Sequence, residues 1–370
     1  MPAGKGCLGI LTNERDGSPP FEGARFHRLL AEAGMRRGLF VYVFTPRGVD
    51  WIGKRVTGFV YDRATGRWEV RNLPLPDLVY DRFFYSPGRP APGLRGLARR
   101  LREAGGTRFL GIGLPDKYRV YRLLADDGVL RAHLPPHRIA AGPADVGRLL
   151  AAWGDVVLKP VDGRQGRGVI RLEPAGAGWR VTGRDRRNGV VRRTFVRRRE
   201  LDAWLAGLLS RRRHVATPHL HLATRSGAPF DIRVFLQKDG SGRWQWIGMA
   251  ARVGRPGSLT SNLHGGGTAV DAMRILGGEF GERAGDIAAT IRRLAFRAVR
   301  LLERRNGRLA EAGLDFGVDP AGSVWFLEAN SRPGRAIFAR IGDRDAERRA
   351  IVNPILYACH LRDRPFGRVT

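Results

Sequence analysis

The stretch Gly313-Leu-Asp-Phe-Gly-Val-Asp-Pro-Ala-Gly-Ser-Val-Trp-Phe-Leu-Glu-Ala-Asn-Ser-Arg-Pro-Gly334 decides how the rest of the chain is read. Two apolar runs flank Asp319-Pro320-Ala321-Gly322, a turn signal, so the stretch is expected to form a β-hairpin. Side chains two apart on a strand share a face, so Glu328 and Asn330 project together. A turn near the midpoint brings Asp315 back opposite them. Two carboxylates and one amide oxygen then converge, a hard-oxygen set suited to Mg²⁺ held together with phosphates. The plain alternative is a hairpin with ordinary acids at its strand ends.

Composition sets outer bounds. At 370 residues the chain is expected to form two or three lobes. No run of ~18 apolar residues is present, so no membrane span is expected. The first residues lack a long apolar core and a cleavage site, so no secretion signal is read. Cys7 and Cys359 are too few for a disulfide scaffold, and a reducing, cytoplasmic location is the expectation. The formal charge of +30 first suggests nucleic acid. Yet only five of the 65 basic residues are lysine, and Gly, Ala and Pro are also abundant, a pattern that GC-rich codons produce. Runs such as Arg197-Arg198-Arg199 and Arg211-Arg212-Arg213 carry no interleaved aromatics, so no base-stacking platform is indicated. Non-specific attraction to polyanions is the remaining expectation.

Where arginine fills nearly every basic position, a lysine draws notice, because its compact charge differs from the planar guanidinium. Lys117 opens a helix expected over 117–125. Lys159 ends the strand Val156-Val157-Leu158-Lys159 and precedes the loop Gly163-Arg164-Gln165-Gly166-Arg167-Gly168. That order is neither a Rossmann turn nor a Walker loop. It fits a hairpin loop whose glycines let backbone N–H groups approach phosphate oxygens.

Upstream, residues 7–11 and 39–44 read as strands around a helix over 26–34, with Gly34 as its C-cap. A β-α-β order suggests a small parallel sheet. Strands over 56–61, 67–70 and 78–80, a loop at 86–93, a helix over 94–104 and a strand over 109–112 complete a first lobe, residues 1–113. Further strands are expected near 169–172 and 179–195, with a helix over 199–209. Residues 214–223 are expected to be extended, which puts His219 and His221 on one strand face as a metal pair could stand, with His214 the only further candidate ligand nearby and no cysteine close. Asp231 and Arg233 share a face of a strand over 230–237. Arg252 lies on a strand over 244–253, followed by a loop with Asn262 and Gly265-Gly266-Gly267. A long helix over 287–303 precedes the hairpin, and a final helix over 347–361 is expected to kink or restart near Pro354.

Around a nucleoside triphosphate each part has a job. Lysines and the glycine loop neutralise phosphates, carboxylates hold Mg²⁺, and Arg233 and Arg252 can hold the γ-phosphate and any acyl phosphate made from it. An ion pair is the ordinary alternative for either arginine.

The chain resembles the ATP-grasp superfamily, and within it the YheC/YheD family of endospore coat-associated proteins. The similarity rests on Asp116-Lys117-Tyr118, Val157-Leu158-Lys159-Pro160 and Gly166-Arg167-Gly168. Its most specific pieces are Pro229-Phe230-Asp231-Ile232-Arg233-Val234, Ala251-Arg252-Val253-Gly254 and Leu327-Glu328-Ala329-Asn330-Ser331-Arg332-Pro333-Gly334. The resemblance implies an α/β (α+β) ATP-grasp fold with subdomains at 114–213 and 214–370 behind the first lobe. It implies ATP and Mg²⁺ as ligands, with Mn²⁺ as a substitute. Lys117, Lys159, Gly163, Gln165, Gly166, Arg167 and Gly168 would contact ATP phosphates, and Thr217, His219 and Leu220 would meet adenine. Arg233 and Arg252 would be catalytic, and Asp315, Glu328 and Asn330 would bind the metal. The linker departs from the family pattern at Pro218, which has no N–H to offer a base. The implied activity is a carboxylate–amine ligase associated with the spore coat; the arginine-rich surface, separately, suggests an acidic or polymeric acceptor. The alternative is an ATP-binding structural coat protein without turnover.

Overall fold

Cys7–Leu11 (β1) is a short apolar run, buried along its whole length. The computed structural model describes residues 6–84, 96–163, 166–259, 261 and 266–364. The loop at 86–93, Gln165 and Asn262 lie outside them. Next in the chain come α1 (Ala24–Met35), β2 (Phe40–Asp50), β3 (Arg55–Asp62), β4 (Arg67–Pro74), β5 (Leu78–Asp81), α2 (Leu97–Gly105) and β6 (Arg108–Phe109). The first sheet runs β4-β3-β2-β1-β5-β6. β1 is parallel to β2 and β5, and β5 to β6, so the expected parallel core is present. An antiparallel ladder, β2-β3-β4, extends it.

Two sequence expectations fail here. The strand expected over 109–112 is only β6. Gly34 does not cap α1 but lies inside it, where a Cβ would stand 2.4 Å from Val41 Cγ2. Glycine at that position lets α1 press onto β2.

The second stretch holds α3 (Lys117–Ala125), α4 (Gly128–Arg131), β7 (Arg138–Ala140), α5 (Pro143–Trp153), β8 (Val156–Pro160), β9 (Ile170–Ala175), β10 (Gly178–Arg184), β11 (Val190–Phe195), α6 (Arg198–Leu209) and β12 (His214–Thr217). Its sheet runs β11-β10-β9-β8-β12-β7. Val146, Leu149 and Leu150 of α5 and Leu201 and Leu205 of α6 cover one face of that sheet. The other face is left to the cleft described below.

The third stretch adds β13 (Phe230–Lys238), β14 (Trp244–Val253), β15 (Thr268–Asp271), α7 (Ala272–Phe280), α8 (Ala284–Asn306), β16 (Glu311–Val318), β17 (Val324–Asn330), α9 (Ala336–Ile341) and α10 (Arg344–Arg362). Its sheet runs β15-β14-β13-β16-β17. α8 buries Ile287, Ile291, Leu294, Ala298 and Leu302 against it, the spacing of one helix face. α3 joins the same core through Val120, Tyr121 and Leu124. α10 continues through Pro354 without the expected restart. It packs Ile355, Tyr357, Ala358 and Leu361 against Leu8, Ile10 and Leu30 of the first lobe.

A buried polar cluster joins the first sheet to the third. Glu311 of β16 accepts from Tyr80 Oη at 2.8 Å, Arg82 Nη1 at 2.6 Å and Gln237 Nε2 at 3.1 Å, and it also pairs with Arg335. Burial alone would raise its pKa, but the charges of Arg335 and Arg82 outweigh burial and lower it.

Candidate active site

The β16–β17 hairpin forms as its turn signal predicts. The Asp319 carboxylate accepts from the Ser323 N–H at 2.9 Å and from Trp325 Nε1 at 2.9 Å. Asp319 is therefore a turn residue. The register sets Asp315 opposite Glu328 and Gly313 opposite Asn330. On the neighbouring ladders Arg233 stands opposite Asp315, and Asp231 opposite Arg252.

These pairings build a chain of charges. Arg233 grips Asp315 through both Nε and Nη2, and Arg252 Nη2 reaches the same carboxylate at 2.8 Å. Arg252 Nε donates to Asp231 Oδ1 at 2.7 Å, and the Ser261 hydroxyl donates to Asp231 Oδ2. Burial would raise the Asp315 pKa, but Arg233 and Arg252 outweigh it and hold the group ionised. Asp231 differs: burial raises its pKa further than Arg252 can lower it, and the Asp315 charge adds to the rise. Asp231 and Ser261 were not expected at the site. The two-residue spacing places Asp231 beside Arg233, but nothing local reveals that it orients Arg252.

Lys117 Nζ donates to Gly163 O at 2.6 Å and meets Glu328 Oε1 at 3.0 Å. The residue at the start of α3 thus bridges the glycine loop and the hairpin. Lys159 projects nearby. Desolvation, helped by the Lys117 charge, lowers its pKa to about 8.

A cleft of about 1000 Å³ brings these groups together. Its walls include Lys117, Lys159, Arg252, Asp315 and Glu328, and also Gly163, Gly166, Arg167, His219 and Leu220. Arg233, Gly168, Thr217 and Asn330 are not among its lining residues. Arg233 lies behind Asp315, and Thr217 is buried at the end of β12. Gly168 has φ +74° and donates its N–H to Asp185 O at 3.1 Å. His219 and His221 follow β12 without strand pairing, so the strand-face spacing expected for them does not apply. Their rings meet edge-on at 5.1 Å. The His219 N–H donates to Asp155 Oδ1 at 3.1 Å, and burial with the Arg171 charge lowers the imidazole pKa to about 4.

The donor chemistry suits Mg²⁺ at two positions. Asp315 is held ionised and Glu328 reaches the same cleft, so both could offer hard oxygens. Asn330 fits less well, because its Oδ1 already accepts from the Arg332 N–H at 2.9 Å.

Lys117 at the head of α3 and Lys159 on β8 share one nucleotide-sized cleft with Arg252, Asp315 and Glu328 of the third sheet, the arrangement of an ATP-grasp protein. A family model described as YheC/D like ATP-grasp matches residues 106–361, and the chain belongs to that family. It is 27% identical over 336 residues to endospore coat-associated protein YheC of Bacillus subtilis, covering 90% of this chain and 89% of that protein. To endospore coat-associated protein YheD of the same organism it is 28% identical over 308 residues, covering 82% and 66%. Among solved structures, D-cycloserine synthetase DcsG superposes with a TM-score of 0.56 at 18% identity, covering 95% of this chain and all of that one. The expected ATP-grasp fold is therefore the fold observed. Among the described residues no helix is long and apolar enough to cross a membrane.

Proposed function

We propose that this protein is an ATP- and Mg²⁺-dependent carboxylate–amine ligase. The observation that carries the reading is the meeting of Lys117 with Glu328 at 3.0 Å, in a cleft shared with Lys159, Arg252 and Asp315. Lys117 and Lys159 bind and orient the triphosphate. Asp315 and Glu328 would hold the ion, which when bound would offset charge on the phosphate oxygens. An acceptor carboxylate oxygen attacks the γ-phosphorus, and the bond to the ADP oxygen breaks. The amine nitrogen then attacks the acyl carbon, loses a proton, and expels inorganic phosphate. Asp231 keeps Arg252 aimed at the cleft, so the guanidinium is in place before charge develops on the transferred phosphoryl group. The test is ADP release with ATP, Mg²⁺ and panels of carboxylates and amines. Release that needs both substrates and vanishes in Glu328→Ala supports the ligase; full activity in that variant removes the metal assignment.

One observation favours a binding protein without turnover. Asp315 is already closed on by two guanidinium groups, which leaves it less free for a metal. Both readings predict that ATP with Mg²⁺ raises the melting temperature, and only the ligase consumes ATP. The names of the two relatives support an association with endospores. Loss of the protein from purified spores, in a strain that expresses it during sporulation, would count against that association.

A further inference from the structure

β11 is the outer strand of the second sheet, so one of its edges has no strand beside it. That edge lies in the cleft, where residues 190–194 line the wall. The ladder shows which groups face outward. The Arg184 N–H turns away from β11 and donates to Val169 O at 2.9 Å, while the Asp185 N–H crosses the hairpin to Gly189 O at 2.8 Å. Antiparallel pairs alternate between bonded and non-bonded. Gly183–Val191 and Val181–Arg193 are thus the bonded pairs, and Val190, Arg192 and Thr194 turn N–H and C=O toward the open side.

The side chains of this wall are cationic. Arg171, Arg180, Arg184 and Arg192 line it against a single acid, Glu173, while Arg193, opposite Val181, projects from the other face at the same edge. Glu173 is already engaged by Arg171 at 2.8 Å and Arg180 at 3.6 Å. Among the described residues Arg192 and Arg193 have no carboxylate within ion-pair reach. The wall also leads to the phosphate end. Val157, Arg171, Thr182 and Arg192 form one cross-strand row, and Lys159 shares the face of Val157. With strands ~4.8 Å apart, the open edge lies roughly 15 Å across the sheet from β8.

We propose that the open edge of β11 binds an extended acidic peptide as an added strand, with Arg192 and Arg193 selecting its carboxylates. Main-chain hydrogen bonds would supply affinity and alternate side chains the selectivity, as in other β-augmentation. That the peptide is the acceptor rests on the ligase reading above; that it docks on β11 does not. The charge balance of the wall favours an anionic strand over a second copy of this chain, whose β11 carries the same arginines.

The experiment measures fluorescence anisotropy of a labelled oligoglutamate about as long as β11, with the full chain. A second probe carries N-methyl groups at alternate residues, made in both registers. Proline at Thr194 deletes one outward N–H and no charge, at a sheet edge that tolerates it. Expected are weakening of roughly tenfold or more for the better-placed N-methyl register and for Thr194→Pro, and a larger loss for Arg192→Glu. A normal ATP-induced melting shift shows that Thr194→Pro is folded. Equal binding of both N-methyl registers and the parent peptide overturns the proposal. So does equal affinity for a single-stranded oligonucleotide of matched charge, or binding that requires dimerisation. If the peptide binds but neither it nor any carboxylate of the panel stimulates ADP release, the docking stands and the ligase reading falls. If small carboxylates stimulate release and the peptide does not bind, the reverse holds.

Discussion

Asp315 and Glu328 are direct partners across the β16–β17 ladder, yet they answer to different cations. The Asp315 side chain is 9% exposed and held by Arg233 and Arg252, while the Glu328 side chain is 34% exposed and meets Lys117. Removing them should therefore fail in different ways. Asp315→Ala strands two buried guanidinium groups and should cost roughly 3–5 kcal/mol of stability. Glu328→Ala should melt close to wild type while losing nucleotide turnover. Denaturation curves and ADP release, measured on both variants, decide this. An Asp315→Ala variant as stable as wild type would show that the pairing carries little energy.

Lys159 should make ATP binding pH-dependent. Its pKa near 8 leaves it charged below that value and increasingly neutral above it. Phosphate oxygens favour the charged form, so binding above pH ~8 must draw in a proton. Affinity should fall by up to about tenfold per pH unit there, until the pKa of the complex is reached. Titration calorimetry in buffers of different ionisation enthalpy should detect the proton uptake at pH 9, and Lys159→Met should abolish it. Proton uptake that survives the substitution assigns it to another group.

The hairpin is legible in its turn chemistry, but the register at the site is not. The turn at Asp319-Pro320-Ala321-Gly322 pairs Val318 with Val324 and Phe316 with Phe326, a register that alone would bring Asp315 opposite Leu327; a bulge there shifts the ladder by one and puts Asp315 opposite Glu328, which the turn signal does not show. Lys117 and Lys159 stood out because arginine occupies almost every other basic position. Other features were hidden. Arg252 is held by Asp231 and Ser261, partners that meet only after two strands pair and a loop folds over them. β15, α7 and α9 leave no strong sequence signal, since they are short and stabilised by packing rather than by a repeat. Glycine after an apolar helical run commonly marks an end, but Gly34 marks a close approach to Val41. The histidine pair falls outside the strand because β12 ends at Thr217 and Pro218 cannot donate to a ladder.

His27 should shape acid stability. Its ring is buried beside Phe21 and Phe26, and burial with the charges of Arg82 and Arg335 lowers its pKa from 6.5 to about 3. The unfolded chain then binds a proton that the fold refuses. The contribution is fully present above pH 6.5 and lost as pH falls toward 3. His27→Leu should flatten urea-measured stability across that window, by on the order of a few kcal/mol. An unchanged slope would place the acid sensitivity elsewhere.

Glu311 should behave as a joint between the first and third sheets. Glu311→Ala leaves Arg82 and Arg335 without their shared carboxylate and should cost roughly 3–5 kcal/mol. Replacing Glu311, Arg82 and Arg335 together with apolar residues should recover much of that loss. Hydrogen exchange should report the single variant as faster opening of β5 and β16. Protection equal to wild type at both strands would show that apolar packing alone holds the joint.

The placement of α10 has a consequence for how the chain is made. Its side chains Ile355, Tyr357, Ala358 and Leu361 complete the core around Leu8, Ile10 and Leu30. Synthesis delivers β1 first and α10 more than 300 residues later. The opening lobe must therefore wait on the ribosome with an apolar face uncovered, exposed to chaperones and to premature association, until α10 emerges to seal it.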